Sequence, residues 1–296
     1  SNDDLANLPE NIRKIVKEKI RIIKKPLSKL GKINFNKPCI MGILNITPDS
    51  FYDGGSFYSK ESALSQYNKL VNEGADIIDI GGESTRPGAK KIHFKEEIRR
   101  VIPVIKSITK NKIPISLDSR KPEVMSQANK IGIDFINDVS GLRYSKKTFK
   151  ILKESKLPFI IMHSISNPKN MQKNIKYEDV LLDVYDFFET QIEKCKNNSI
   201  NLNNIIIDPG IGFGKTVKQN LKLISNVSLF HSLGFPILLG ASRKSFIGKL
   251  DKNTLNNERL GGSIASVLYG LTQGVQIFRV HDVQETIQAI KIFSKI

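Results

Sequence analysis

Asp118, Asn137, Asp208 and Lys244 each stand at or shortly after the end of a short apolar run. Two carboxylates, an amide and an ammonium, buried together, can read a flat heterocycle that carries both donors and acceptors. The carboxylates would accept from an amino-pyrimidine edge, while Lys244 would donate to a ring carbonyl or nitrogen. Any one of these carboxylates alone also fits a structural ion pair or a helix cap; the four together are harder to explain that way. A second set, Arg86, Arg279 and His281, lies beside Gly-rich turns and Asn45. Guanidinium forks of this kind suit a pyrophosphate, with Mg²⁺ able to share its charge. Ser245 opens a predicted helix, where the helix N-terminus can hold a carboxylate. Capping accounts equally well for Ser119 or Ser245. It does not account for Lys244, Arg279 or Arg86 at helix starts, where the macrodipole disfavours a cation unless an anion is bound.

The elements that must carry these groups follow from periodicity. Short β-branched runs occur at Cys39–Leu44, Ala75–Ile80, Ile113–Leu117, Ile133–Ile136, Phe159–Met162, Asn204–Ile207, Ile237–Leu239 and Val275–Val280. The segments between them can hold amphipathic helices, among them Glu61–Asn72, Glu97–Thr109, Tyr177–Lys196 and Asn257–Thr272, with a last helix at Val283–Ser294. Strands separated by helices imply a parallel sheet, and near-continuous apolar runs imply strands covered on both faces. Eight such units predict a single (β/α)8 TIM barrel, whose chemistry belongs at the carboxyl ends of the strands. Ahead of it, Ile12, Ile15, Val16, Lys19, Ile20 and Ile23 predict a helix ended by Pro26. The chain therefore divides into a basic helical leader or linker, 1–36, and a catalytic domain, 37–296. It opens on Ser rather than Met, the expectation being a processed form or a module cut from a longer polypeptide.

Composition bounds the rest. The chain is 40% hydrophobic, enough for a sizeable core, and excludes disorder, collagen and a small disulfide scaffold. Two cysteines, Cys39 and Cys195, suit a reducing cytoplasm. No apolar run approaches the ~18 residues of a membrane helix, so no membrane partner is expected. The net charge of +17 invites a nucleic-acid reading, but +6 of it sits in residues 1–37 and the rest is scattered lysine. Aromatic residues interleaved with the basic ones, as stacking on single strands requires, are missing. A basic field that concentrates small anionic substrates is the better account, without nucleic acid. Gly214-Lys215-Thr216 imitates the end of a P-loop, but Pro209 stands where the first glycine belongs. The four histidines show no metal-ligand spacing, although a lone Mg²⁺ held by an amide oxygen and a phosphate would leave no such signature.

Several segments resemble the dihydropteroate synthase family. They are Ile43 through Phe51, Gly81 through Gly88, Ile136 through Gly141, Asp208 through Lys215, Ser242 through Phe246 and Arg279 through Val283. The match runs in order from about Pro38 to the C-terminus. The resemblance implies an enzyme of the (β/α)8 fold that joins 6-hydroxymethyl-7,8-dihydropterin pyrophosphate to p-aminobenzoate and releases pyrophosphate. It implies pterin binding by Asp118, Asn137, Asp208, Lys244 and Met162, and pyrophosphate binding by Thr85, Arg86, Arg279 and His281. Phe51, Pro87, Phe213 and Ser245 match its p-aminobenzoate pocket, and Asn45 matches a Mg²⁺ ligand. Asp118 would stabilise a pterin-methyl cation, with Lys244, Arg279 and His281 completing the catalytic set. Sulfonamide inhibition, a cytoplasmic homodimer and fusion to hydroxymethyldihydropterin pyrophosphokinase are further implications; residues 1–36 would be a linker from such a fusion or a surface leader.

The sequence departs from the family after its fifth run, where Met-His-Met-x-Gly is usual and Met162-His163-Ser164-Ile165-Ser166 stands here. Ser119 also replaces a common Thr. The nearest rival reading is a pterin-binding methyltransferase of the methyltetrahydrofolate:corrinoid type. Such an enzyme has no need of the Arg86, Arg279 and His281 trio.

Overall fold

The computed structural model describes residues 5, 7–27, 29–47, 60–84, 88–110, 112–165, 176–251 and 254–296. After helix α1 (Glu10–Lys24) comes a two-stranded hairpin, β1 (Lys29–Leu30) and β2 (Ile33–Asn34). Then strands and helices alternate: β3 (Cys39–Asn45), α2 (Lys60–Asn72), β4 (Ile77–Gly81), α3 (Phe94–Ile108), β5 (Ile115–Asp118), α4 (Pro122–Ile131), β6 (Phe135–Asp138), α5 (Lys147–Ser155) and β7 (Phe159–Met162). The series ends with α6 (Val180–Asn197), β8 (Ile205–Asp208), α7 (Val217–Ser225), β9 (Leu238–Leu239), α8 (Ser245–Leu250), α9 (Leu260–Thr272), β10 (Ile277–Val280) and α10 (Val283–Phe293). The eight strands β3 to β10 are parallel, in the order β8-β7-β6-β5-β4-β3-β10-β9. A parallel bridge between Ile207 and Ile237 closes the ring, giving the (β/α)8 barrel that the eight runs predict.

Strand periodicity sorts the side chains into two environments. Ile40, Leu44, Ile78, Ile80, Ile136, Ile161, Ile207 and Phe278 point outward and join the helices in the main core. Cys39, Met41, Ile77, Phe135, Ile160, Ile206, Leu238 and Ile277 point inward and form a second apolar cluster at the barrel floor. Two residues further along, the inward positions of β4, β6, β8 and β10 turn polar. The floor thus separates a dry lower half from a chemical upper half.

The helix starts carry recognisable caps. Asp179 accepts from the backbone N–H groups of Leu181 and Leu182 at the start of α6, and Thr216 with Gln219 forms a capping box on α7. Thr216 thus caps a helix rather than serving a nucleotide.

The hairpin is an element that helix periodicity did not predict. Its turn uses Gly31 at φ +56°, and an added Cβ there would lie 3.1 Å from Pro158 Cγ. Leu30 and Ile33 are register partners, and both are buried in the floor cluster with Phe35 packed against it. Helix α1 forms as expected but has no buried residue. Ile12, Ile15 and Ile23 of its stripe are exposed, and Lys19 Nζ donates to Tyr185 Oη at 2.6 Å and to Glu189 at 3.3 Å. The hairpin, not the helix, is the buried part of the region before residue 37.

Truncating Ile33 to Ala removes part of the floor plug and should cost about 2–4 kcal/mol of unfolding free energy. Urea titration of the variant and the wild type checks this; a loss below about 0.5 kcal/mol would mean that the plug contributes little.

Candidate active site

The polar layer is assembled by register. Asp79, Asn137, Asp208 and Arg279 each stand two residues beyond a floor residue: Ile77, Phe135, Ile206 and Ile277 respectively. Asp118, at the end of β5, pairs in register with Gly81 on one side and Asn137 on the other. All but Arg279 are buried.

Arg279 organises this layer. Its Nε donates to Asp79 Oδ2 at 2.6 Å, and its Nη2 to Asp118 Oδ2 at 2.9 Å. Asn137 Nδ2 donates to the same Asp79 oxygen at 3.0 Å. That bond to a carboxylate orients the amide with its nitrogen toward Asp79 and its oxygen away. Asn137 Oδ1 is thereby buried with no hydrogen-bond partner among the described residues. A buried acceptor in that condition is costly, and a ligand N–H would satisfy it.

Two carboxyl groups sharing one guanidinium would carry a formal charge of −1 with both ionised, and burial opposes that state. Burial pushes the Asp118 carboxyl up to about 8, against the pull of Arg279 and with help from the Asp79 charge. Burial also raises Asp208, whose Oδ1 accepts from the Gly210 N–H at 2.7 Å. Lys244 is pulled down to about 8 by burial and then by the Arg279 charge. Its Nζ lies 4.0 Å from the centroid of the Phe213 ring, a cation–π contact that fixes the end of the side chain.

Above this layer opens a cavity of about 410 Å³, lined among others by Asn45, Phe213, Ser242, Ser245, Arg279 and His281. Burial and the Arg279 charge lower His281 to about 3, so its ring is neutral at physiological pH. Ser242 Oγ accepts from the His281 backbone N–H at 3.2 Å and lies 3.0 Å from Nδ1. With the hydroxyl donating to Nδ1, the neutral ring carries its proton on Nε2 and offers a donor without adding charge.

The chain matches the family described as "Pterin binding enzyme" over residues 41–281. It is 43% identical over 261 residues to the dihydropteroate synthase of Escherichia coli K12, covering 88% of this chain and 92% of that one. It also superimposes on the Yersinia pestis dihydropteroate synthase crystallised with a sulfonamide drug, with TM-score 0.86, 37% identity and coverage of 91% and 98%. The Xanthomonas albilineans dihydropteroate synthase with 4-aminobenzoic acid gives TM-score 0.83, 38% identity and coverage of 89% and 94%. The chain belongs to the dihydropteroate synthase family.

Within this family member, the structure gathers most of the residues that the sequence singled out. Asp118 pairs in register with Asn137, and the charges of Asp118 and Asp208 both act on Lys244. Met162 and Phe213 pack together beneath Val139, while Asn45, Ser245, Arg279 and His281 share the cavity wall. Phe51, Thr85, Arg86 and Pro87 lie outside the described residues. Arg279 is not at a helix start: it lies within β10, and buried carboxylates rather than a bound anion answer its charge. Arg120 and Lys121, which follow Asp118, turn away from the cavity. Arg120 pairs with Glu83 at 2.8 Å; Lys121 pairs with Glu83 at 3.0 Å and also with Glu97.

Asp79 is the participant that sequence reasoning missed. It lies in the middle of an apolar run rather than at its end, so a search for strand-end groups passes over it. Inward parity was the available signal, because Asp79 stands two residues after Ile77 on the face that Arg279 shares.

Asp118 gives this arrangement a pH signature. The folded chain keeps its proton up to about pH 8, whereas an unfolded Asp releases it near 3.8. The folded state therefore binds more protons across that window, and this group's contribution to stability is lost as pH rises through it. Asp118→Asn should flatten the fall in unfolding free energy between pH 5 and pH 8. Urea midpoints at the two pH values check this, and an equal fall in variant and wild type would contradict it.

Proposed function

We propose that the barrel condenses 6-hydroxymethyl-7,8-dihydropterin pyrophosphate with p-aminobenzoate, giving 7,8-dihydropteroate and pyrophosphate in folate biosynthesis. The observation that carries this reading is the buried trio of Asp79, Arg279 and Asp118, in which one guanidinium is held between two carboxyl groups. It lies beneath a rim that offers donors to an anion. Such a pocket suits a ring that becomes positive as an anionic group departs from it.

Each residue then has a task. Asp208 and the free oxygen of Asn137 accept from the amino-pyrimidine edge, and Lys244 donates to a ring carbonyl or nitrogen. The bond from the pterin methylene to pyrophosphate oxygen breaks, and the electron pair leaves with the pyrophosphate. The aniline nitrogen of p-aminobenzoate donates its lone pair to that carbon and then loses a proton. Asp118, a carboxyl fixed in place before reaction, faces the positive charge that develops on the pterin and stabilises it in its ionised form. His281 donates through Nε2 to the departing anion, and Arg279 is within reach of it from the layer below. Ser245, at the first position of α8, and Phe213 form the side of the cavity toward the aromatic acid.

The residues present are compatible with Mg²⁺. Among the described residues no group of three or more His, Cys, Asp or Glu could cage a metal ion. Asn45 supplies an amide oxygen to the cavity, and the remaining ligands would come from pyrophosphate and water, as Mg²⁺ prefers. Bound there, the ion would neutralise pyrophosphate charge. The reading also includes a homodimer, supported by Tyr269 on α9 and Ile292 and Phe293 on α10, large apolar side chains left exposed on helices in contact with each other.

Pyrophosphate release from the pterin pyrophosphate, measured with and without p-aminobenzoate, tests the reading on wild type and Asp208→Asn. Dihydropteroate formation in the wild type, reduced 100-fold or more in the variant, is expected. Tight pterin binding without turnover would overturn it. A sulfonamide should compete with p-aminobenzoate, and failure to inhibit at millimolar concentration would remove the aromatic-acid pocket assigned to Phe213 and Ser245.

A further inference from the structure

Lys215 belongs to the segment that imitates a P-loop, yet its side chain faces no phosphate site. It stands just before α7, where a helix dipole disfavours a cation, and only 3% of its surface is exposed. Its Nζ meets three acceptors: Gly210 O at 2.9 Å, Phe213 O at 3.0 Å and His163 Nδ1 at 2.9 Å. Burial lowers Lys215 to about 7; in its ammonium form all three N–H bonds are used. Burial holds His163 well below its usual range, leaving the ring neutral with Nδ1 free to accept. His163 is itself fixed by its backbone N–H on Asp208 O at 2.9 Å and by an edge-on contact with the Phe187 ring at 4.9 Å.

The loop wrapped around this ammonium carries much of the site. Gly210, Gly212 and Gly214 have φ of +68°, +83° and +63°, an alternation that turns the carbonyls of residues 210 and 213 inward. Glycine adopts such angles at no steric cost but does not enforce them, so the cation at the centre selects the conformation. From that loop, the Gly210 N–H holds the Asp208 carboxylate, and the Phe213 ring supports Lys244. Gly212 approaches Lys244 so closely that an added Cβ would lie 3.1 Å from its Cδ.

We propose that Lys215 is a positioning residue for the condensation. Its ammonium holds the loop from Asp208 to Lys215 in the one conformation that aims the Asp208 carboxylate and the Phe213–Lys244 pair at the pterin, with His163 as a fixed acceptor. This role rests on the function proposed above. It also gives His163 a task despite the departure from the family pattern that follows it: accepting a hydrogen bond rather than transferring a proton.

Lys215→Met keeps the side-chain length and removes the charge and its donors. In the full chain it should raise the Kd for the pterin pyrophosphate at least tenfold, while thermal unfolding stays cooperative. Combined with Asp208→Asn, it should cost less than the product of the two single losses, because part of its effect runs through that carboxylate. A folded variant with wild-type Kd and kcat and only a lowered Tm would overturn the proposal, as would losses that multiply fully in the double variant. Should Lys215→Met fail to fold, the His163 variants decide. His163→Gln retains an acceptor and should stay within threefold of wild-type affinity, whereas His163→Leu should lose tenfold. Equal losses in the two would overturn the role. Wild-type turnover is measured in parallel: a silent wild type removes the functional reading itself, whereas an active wild type matched by Lys215→Met removes only this proposal.

Discussion

A guanidinium inside a barrel is expensive, since its desolvation costs several kcal/mol unless carboxylates offset it in good geometry. Arg279 meets that condition through Asp79 and Asp118 on the two neighbouring strands β4 and β5. The Asn137 amide and the Asp118 carboxyl are both held by this arrangement. Asp79 can bond the Asn137 amide because the same oxygen already faces Arg279. Asp118 is held in place as a carboxyl group that burial keeps protonated up to about pH 8. Breaking one member would leave a charge buried without its partner, so the layer behaves as a unit rather than as separate ligand contacts.

The apolar floor makes that unit possible. Its side chains occupy the inward positions one strand period below the polar ones, so water reaches the charged layer only from the open, carboxyl end. Low local polarity strengthens each ion pair and raises the cost of each unpaired group. The raised carboxyls of Asp118 and Asp208 and the lowered Lys244 are two faces of this dryness. Substrate donors, acceptors and charge then replace what water would otherwise supply.

Most of this was legible in the sequence because barrel strands repeat one grammar. An apolar run followed by a polar group located β5, β6 and β8 to within about two residues and exposed Asp118, Asn137 and Asp208 directly. The same grammar misplaced the reason for Arg279, which lies inside a strand and takes its partners from strands distant in sequence. It passed over Asp79 for the same cause: a single Asp within Ile77–Gly81 gives no local sign of which way it points. The P-loop likeness around Lys215 fails at Pro209 in the sequence, but the three acceptors of Lys215 come from a glycine-built loop and a histidine some fifty residues earlier, a convergence that only tertiary structure displays. The hairpin was hidden by its brevity, two residues per strand being too few to register a period.

The hairpin's position has a consequence for how the molecule assembles. Leu30 and Ile33 are early in the chain, yet the cluster they enter includes Ile277 of the last strand. Their partners therefore exist together only once both ends of the sheet have met, and contacts spanning so much of the chain are slow to form. β-Structure that precedes the barrel strands in the chain can be among the last to find its place, making barrel closure and floor sealing a single event. Loss of either end of the chain would then be felt at the other.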